Sequence, residues 1–197
     1  MKQRGFTVLE VVIAITIAAF ILMSAAPAAG TWMRNTRIRT TAESISNGLM
    51  QARNEAVRRN QPVSFYLVSD ADATSMSDSC ALSSSSGGWV VATASPAGGC
   101  AANRDSFIAL RPPGDTGGGI TVAATDVSAS AATTVTFNGF GQISNASPIN
   151  CIRVTNASDS TTRKLNIAIN VGGQVRMCDP GVTDTNDPRV CQAGCAN

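Results

Sequence analysis

A long apolar segment near the N-terminus constrains this chain more than any other feature of its sequence. Residues 11–29 read VVIAITIAAFILMSAAPAA, nineteen consecutive residues without a charge, and they follow the short basic leader MKQRG. As a helix with a rise of ~1.5 Å per residue, the segment measures about 28 Å, close to the ~30 Å hydrocarbon thickness of a bilayer. The segment therefore predicts a helix that enters a membrane.

Two interpretations of this segment are open. In a cleaved secretory signal, Lys2 and Arg4 form the basic region and Ala26-Pro27-Ala28 the cleavage site, so that a soluble binding domain starts near Gly30. Glu10 argues against this interpretation, because a carboxylate at the mouth of an apolar helix is costly unless it has a partner. We therefore favour a helix that is retained in the mature protein.

The residues around Glu10 resemble a known leader. Gly5-Phe6-Thr7-Val8-Leu9-Glu10 is similar to the class III signal of type IV prepilins and pseudopilins. The resemblance implies that a prepilin peptidase cuts after Gly5 on the cytoplasmic side and N-methylates Phe6. It also implies that Glu10 acts in filament assembly by pairing with the amine of Phe6 on a neighbouring subunit, which compensates two buried charges and sets the axial register.

An apolar stripe continues the helix beyond the apolar segment. Its residues recur at spacings of 4, 3, 4, 3 and 4, which is the pattern of an amphipathic helix. Arg58-Arg59-Asn60 followed by Pro62 predicts that the helix ends near Asn60. Pro27 and Gly30 predict a bend or local melting within it. The stripe consists of Ile38, Ala42, Ile45, Leu49, Ala52 and Ala56.

Short β-prone runs fill the rest of the chain, separated by breaks rich in Ser, Asp, Gly and Ala, with a two-residue hairpin turn at Gly172-Gly173. Runs of this length indicate an antiparallel sheet, against which the amphipathic helix must bury its stripe. The predicted fold class is α+β, with a long N-terminal helix packed on an antiparallel β-sheet domain. The runs are 63–68, 89–94, 106–110, 119–122, 133–138, 151–156, 163–170 and 174–178.

Four regions follow from the leader and these patterns. They are a leader peptide at 1–5, a transmembrane and filament-core helix at 6–30, an amphipathic helix continuing it at 31–60, and a disulfide-bonded β-sheet domain at 61–197.

The C-terminal half narrows the resemblance to the GspH/FimT group of minor pilins and pseudopilins. Together with the leader, the matching elements cover both ends of the chain, whereas 63–130 is similar only in its strand pattern. The matching elements are Phe137-Asn138-Gly139-Phe140-Gly141, Gly173-Gln174-Val175-Arg176, Met177-Cys178-Asp179-Pro180 and Asp187-Pro188-Arg189-Val190-Cys191.

Six cysteines, all C-terminal to the apolar segment, indicate a disulfide framework in an oxidising compartment. The closest spacing, Cys191 to Cys195, leaves three residues between them, which is not the C-x-x-C pair of a metal site. The flanking basic residues do not decide the orientation of the helix in the membrane. The disulfides do, because they require an oxidising compartment, and they place the C-terminal region in the periplasm.

Six cysteines allow fifteen pairings, which spacing does not distinguish. We expect the pairs Cys80–Cys100, Cys178–Cys191 and Cys151–Cys195. Each would constrain a loop that has too few apolar residues to hold itself in place.

Composition excludes the common catalytic centres. The chain has no histidine, and its lysines are Lys2 and Lys164, so a Ser-His-Asp site, a Cys-His site and a histidine metal centre are all impossible. Lys164 neighbours Arg163 on a predicted strand with no sign of a buried pocket, which argues against a Ser-Lys site. We predict that the protein is not an enzyme and has no cofactor.

Two acidic segments are candidates for metal binding. The segment from Asp70 to Asp78 superficially resembles a calcium loop, but Ser75 replaces the required glycine and Ala81 the bidentate glutamate. We interpret it as a solvated loop and predict no metal site. Some pseudopilins bind calcium in a C-terminal loop, which leaves calcium open at a second segment. Its acidic residues are Asp179, Asp184 and Asp187.

Basic residues gather in the last three predicted strands and the following loop, where alternation can bring several onto one face. FimT-like DNA-uptake pilins carry a G-R-x-R element in this hairpin, whereas here Gln174 replaces the first arginine and only Arg176 matches. Losing one phosphate contact weakens duplex binding without excluding it. In the alternative interpretation, arginines on this surface pair with nearby aspartates. The candidate DNA contacts are Arg153, Arg163, Lys164, Arg176 and Arg189.

These observations predict a minor pilin or pseudopilin subunit of a type IV pilus or a type II secretion pseudopilus, acting in filament assembly or priming. Its expected partners are other pilin or pseudopilin subunits, a prepilin peptidase and the inner membrane. The alternative is a DNA-binding minor pilin for DNA uptake in natural transformation. We expect a single-pass inner-membrane protein that moves into a filament at the cell envelope or surface.

Overall fold

A computed structural model of the chain describes residues 7–72, 74–158 and 162–195, with the backbone alone at 24–28. The predicted leader at 1–5 and the processing residues Gly5 and Phe6 lie outside the described residues. Within them, one long helix precedes nine strands and two short 3-10 helices.

Helix α1 spans Val8–Arg59, 52 residues or about 78 Å at the standard rise. Thr7 caps its N-terminus, since the Thr7 hydroxyl accepts a hydrogen bond from the Glu10 backbone N–H at 3.3 Å. Pro27 and Gly30 both lie inside the helix, so the local melting expected at these residues does not occur.

The C-terminus of α1 lies where the sequence predicts it. Asn60 adopts the left-handed conformation, with φ of 50°, and its backbone N–H donates to the carbonyls of Ala56 and Val57. Asparagine tolerates this conformation better than most residues, and its N–H satisfies carbonyls that the helix itself leaves open. Arg58 and Arg59 in the last turn complement the helix dipole.

The nine strands form two antiparallel sheets, where the sequence analysis expected one. Sheet 1 has the order β2-β1-β3-β4, with β6 also beside β1, and sheet 2 has the order β5-β7-β8-β9. The strands are β1 (Val63–Ser69), β2 (Ala81–Leu82), β3 (Gly88–Ala92), β4 (Ala109–Arg111), β5 (Ile120–Thr125), β6 (Thr134–Phe137), β7 (Cys151–Asn156), β8 (Leu165–Ile169) and β9 (Val175–Cys178). Each of the eight predicted runs contains or overlaps one of these strands.

The sheets separate because β1 already has partners along both edges. Strand β3 pairs with one edge, while β6 pairs with positions 63–66 and β2 with positions 68–69 on the other. Strand β5 therefore pairs with β7, and the chain passes from sheet 2 to sheet 1 and back. Strand β2 escaped prediction because it has only two residues, both exposed, within a serine-rich break.

One hydrophobic core joins α1 to both sheets. All six residues of the predicted stripe have an exposed fraction of 0%. Strands of both sheets contact the helix, which confirms the α+β architecture of a long N-terminal helix packed on antiparallel strands. The stripe packs among Phe65, Leu67, Val91, Val135 and Phe137 of sheet 1 and Val122, Ile152, Val154, Ile167 and Ile169 of sheet 2.

The outer face of sheet 1 is covered by its own loops. Tyr66 and Val90 point away from the helix into a second cluster that contains Met76 and the Cys80–Cys100 disulfide. The Asp78 carboxylate accepts hydrogen bonds at 2.9 Å from the backbone N–H groups of Ala101 and Ala102, which ties the two loops together. Strands β1 and β3 are therefore buried on both faces.

Two further disulfides fasten the C-terminal segment to sheet 2. Cys151 pairs with Cys195, and Cys178 with Cys191, which together with Cys80–Cys100 is the pairing expected from the loops. Asn166, 2% exposed, donates to the Cys195 carbonyl at 2.6 Å. The chain end therefore covers part of the outer face of sheet 2.

The first half of α1 stands apart from this core. Its large apolar side chains from Val8 to Met23 are exposed, with Val8 at 83% and Phe20 at 73%. Among the described residues, no helix is long and apolar enough to cross a membrane. The membrane span of 6–30 stays a prediction.

Gly48 lets α1 pack closely against Phe65 and Trp89 of sheet 1. A Cβ atom at this position would lie 2.9 Å from Phe65 Cε2 and 3.0 Å from the Trp89 ring. Overpacking costs ~1–3 kcal/mol, whereas alanine gains about 1 kcal/mol in helix propensity. We therefore expect Gly48→Ala to lower the free energy of unfolding by about 1 kcal/mol in chemical denaturation of the full chain in detergent, followed by tryptophan fluorescence.

Asn47→Ala is the matched control for this prediction. Asn47 is exposed on the same turn, so the alanine gains propensity there without a clash, and stability should be unchanged or slightly higher. If both variants were stabilised equally, the contact between Gly48 and the aromatic pair would not be tight.

Candidate functional site

Two of the predicted basic residues, Arg153 and Arg176, lie on the outer face of sheet 2. Ile152, Val154 and Ile167 point into the core, so alternation turns Arg153 outward on β7. Arg176 lies on the same face of β9, opposite Ala168 in the register. Alternation therefore brings Arg153 and Arg176 onto one face, as the sequence analysis expected.

A groove of about 540 Å³ lies against this sheet, and we call it the basic groove. Three of the five candidate DNA contacts line it: Arg153, Arg163 and Lys164. Arg163 and Lys164 precede β8, which starts at Leu165 rather than at the predicted residue 163. The groove is also lined by Thr155, Thr162, Asn166, Asp179, Pro180 and Gly181.

Arg163 ties the basic groove to the helix. Its guanidinium forms an ion pair with Asp179, with both Nε and Nη2 at 3.0 Å from Oδ2. Its backbone N–H donates to Asn35 Oδ1 on α1, also at 3.0 Å. Sequence reasoning missed Asn35, because no pattern signals a contact between residues 128 positions apart. Arg163 also borders a second cavity, of about 370 Å³, shared with Arg39 and Arg189.

Arg153 and Lys164 have no acidic partner among the described residues. Arg153 is half-buried, and its Nε lies away from solvent without a hydrogen-bond acceptor. Lys164 is exposed and borders the same groove. The basic groove therefore combines one paired arginine with two uncompensated cations.

Arg176 and Arg189 are engaged with the C-terminal loop. Arg176 donates through Nη2 to the carbonyls of Pro188 and Val190. Arg189 forms an ion pair with Asp187, with Nη2 at 2.7 Å and Nε at 3.1 Å from its carboxylate oxygens. The expectation that arginines pair with nearby aspartates describes Arg163 and Arg189, while Arg176 donates to loop carbonyls instead.

Glu10 lies on the exposed surface of α1, at one end of a shallow apolar groove with Val11, Ala14, Ile15 and Ala18. Its backbone N–H is satisfied by Thr7, but its carboxylate has no basic partner among the described residues. The amine that the resemblance assigns to it belongs to Phe6, outside those residues. The proposed charge pair stays a prediction.

Carboxylates of the two acidic loops accept hydrogen bonds from residues of the same loop. Hydrogen bonds from Ser75 and Thr74 hold the pKa of Asp72 well below its usual range. Asp184 accepts from the Asn186 backbone N–H at 2.9 Å. Among the residues described, no three Asp, Glu or Cys side chains gather as a metal site would require.

Arg189 sets the titration of Asp187. The side-chain hydrogen bonds from Arg189 are the main cause, and its backbone N–H adds to them, so that the pKa of Asp187 falls to about 2. The same pair raises the pKa of the Arg189 guanidinium. Asp187 is therefore ionised at physiological pH and can pair with Arg189 there.

Comparisons with known proteins match both ends of the chain. The family model of type II transport protein GspH matches residues 41–188, and that of the prokaryotic N-terminal methylation motif matches residues 1–26. No curated protein sequence matches significantly.

Two crystal structures of the type IV minor pilin FimU from Pseudomonas aeruginosa (strain PAO1) are similar to the chain, each at 15% identity. One has a TM-score of 0.49 and covers 74% of this chain and 91% of its own. The other has a TM-score of 0.46 and covers 71% of this chain and 90% of its own.

The Arg189–Asp187 pair makes a pH prediction. Because the folded pKa of Asp187 lies below its ordinary 3.8, the pair contributes stability above that value and loses it as the pH falls towards about 2. In Arg189→Gln, we expect the pKa of Asp187 to rise towards its ordinary value, measured by NMR titration of the carboxyl carbons. Asp72 is the internal control, because its hydrogen-bond partners lie within its own loop and its pKa should stay low. An unshifted Asp187 would show that Arg189 is not the cause.

Proposed function

Because this chain belongs to the family of type II transport protein GspH and carries the prokaryotic N-terminal methylation motif, we propose that it acts in the assembly or priming of a type IV pilus or a type II secretion pseudopilus. Membership makes it a minor pilin- or pseudopilin-like protein, which assembles with other subunits of this kind, and the motif implies a processed component of the cell envelope. The proposed role contains no catalytic step.

One observation carries the proposal: helix α1 extends far beyond the hydrophobic core that its second half helps to form. The core takes up the stripe from Ile38 to Ala56, while the apolar residues from Val8 to Met23 stay exposed. An apolar surface on all sides of a helix needs lipid or other helices to cover it. This supports a subunit held by 6–30 as a single span in the inner membrane, with its β domain in the periplasm, until it enters a filament.

Glu10 is the residue that we assign to subunit registration. Its carboxylate is exposed at the start of an apolar helix and has no basic partner among the described residues. Burying such a charge is costly unless an opposite charge accompanies it. The amine of Phe6 on a neighbouring subunit, freed when the peptidase cuts after Gly5, would supply that charge at one axial offset only.

DNA uptake stays an alternative prediction. Arg176, which matches the DNA-contacting hairpin element, donates to carbonyls of the C-terminal loop. Gln174, which replaces the other arginine, accepts at 3.1 Å from the Asn170 side chain. No geometry in this hairpin favours DNA over assembly as the main role.

The processed N-terminus is the first test. We expect the mature protein to begin with N-methylated Phe6, because the leader resembles a prepilin signal and Thr7 caps the helix directly after the cut. N-terminal sequencing and intact-mass measurement of protein from the membrane fraction would show this. A mature chain that starts near Gly30 would instead identify a cleaved secretory signal.

The charge at Glu10 is the second test. We expect Glu10→Ala to leave processing largely intact but to reduce recovery in sheared filaments about tenfold or more, since removing the carboxylate leaves the partner amine buried without a counter-charge. Glu43→Ala is the control, because Glu43 carries the same charge on the same helix but pairs with Arg39 within the subunit. Normal incorporation of Glu10→Ala would refute the charge pair, while equal loss in both variants would indicate a general folding defect.

A further inference from the structure

The basic groove carries more positive charge than it can neutralise. Arg153, Arg163 and Lys164 line it, and Asp179 is its one acidic residue among those described. The Asp179 carboxylate is already used, since Oδ2 accepts from Arg163 and Oδ1 from the Gly181 backbone N–H, each at 3.0 Å. Two cations, Arg153 and Lys164, therefore face the groove without a counter-charge.

Arg153 supplies a donor that lacks an acceptor. Its Nε is buried and has no hydrogen-bond partner, although a buried N–H is normally paired. A small turn of the guanidinium towards the groove that Arg153 lines would bring this donor to an anionic oxygen there and remove the cost of leaving it unpaired. The planar guanidinium fits two oxygens of one phosphate, and the Thr155 hydroxyl on the groove wall offers a further donor. A volume of about 540 Å³ admits more than the phosphate alone.

The height of the groove along α1 indicates where such a phosphate would come from. The Arg163 backbone N–H contacts Asn35, six positions after the end of the apolar segment at Ala29, which corresponds to about 9 Å along the helix. The headgroup layer of a bilayer is roughly 5–8 Å thick on each side of the hydrocarbon. Trp32, 69% exposed, lies between these two levels, where an indole ring favours the membrane interface.

We propose that the basic groove binds the phosphodiester of an anionic phospholipid headgroup and so holds the β domain against the membrane surface. The choice of a lipid rests on the proposed function, because the groove meets headgroups only if 6–30 spans the membrane. Arg153 and Lys164 bind the phosphate, and Arg163 positions the groove through Asn35. Zwitterionic lipids bind less well, because their ammonium group meets the same cations.

The test is a titration of the full chain in neutral detergent. The probes are short-chain phosphatidylglycerol, short-chain phosphatidylcholine, inorganic phosphate and a DNA duplex, and the readout is the NMR resonance of the Arg153 Nε–H together with native mass spectrometry. We expect saturable binding of phosphatidylglycerol, at least tenfold tighter than that of phosphatidylcholine or inorganic phosphate. Inorganic phosphate bound equally well would overturn the lipid assignment, and tighter binding of the duplex at Arg153 would make the groove a nucleic-acid site.

Variants locate the binding. We expect Arg153→Gln to weaken phosphatidylglycerol binding about tenfold, the equivalent of one charge-assisted hydrogen bond, and Lys164→Gln to weaken it several-fold. Asp179→Asn should tighten it, because a competing carboxylate charge is removed. Arg104→Gln is the control, since Arg104 is an exposed cation on a 3-10 helix outside the groove. If Arg153→Gln fails to fold, Lys164→Gln still decides, and unchanged affinity in Lys164→Gln and Asp179→Asn would overturn the proposal.

Cell fractionation separates this proposal from the function on which it rests. A processed chain in the soluble fraction would contradict the membrane-held subunit, and with it the lipid source. A membrane-held chain that shows no preference for phosphatidylglycerol would overturn the groove assignment alone.

Discussion

The burial of one helical stripe is the constraint on which the rest of the domain depends. The two sheets share no continuous ladder, and the same residues of α1, such as Ile45 and Leu49, occupy the core that both sheets close. Hydrogen bonds also fix the helix against the loops of the domain. Thr41 donates to the Thr116 carbonyl, and Arg53 donates to the Gly141 carbonyl at 3.0 Å. Without the helix, each sheet would expose an apolar face, so the second half of α1 belongs to the domain as much as any strand does.

Each sheet also has an outer face, and the two outer faces are covered to different extents. Sheet 1 is covered by loops that a disulfide and the Asp78 carboxylate hold in place. Sheet 2 is only partly covered, by a tail fastened through Cys195, and its remaining outer surface becomes the basic groove. The cysteines thus hold segments that contain too few apolar residues to stay on the sheets unaided.

The helix and most strands could be predicted from the sequence, whereas the pairing of the strands into sheets could not. The spacing from Ile38 to Ala56 defined the buried face of α1, and Asn60 defined its end, because helical periodicity and capping are local properties. The division into two sheets depends on which strands pair with β1, and no local pattern encodes that choice. The basic residues were found by type, but the pairing of Arg163 with Asp179 and the unsatisfied Nε of Arg153 arise from contacts between distant segments.

The continuity of α1 has a mechanical consequence. A single helix of 52 residues, unbroken at Pro27 and Gly30, connects the exposed apolar end to the centre of the β domain. A pull on that end is therefore carried by side-chain packing around the stripe rather than by a flexible linker, and it loads many contacts at once in shear. The helix and the domain would then move together under such a pull.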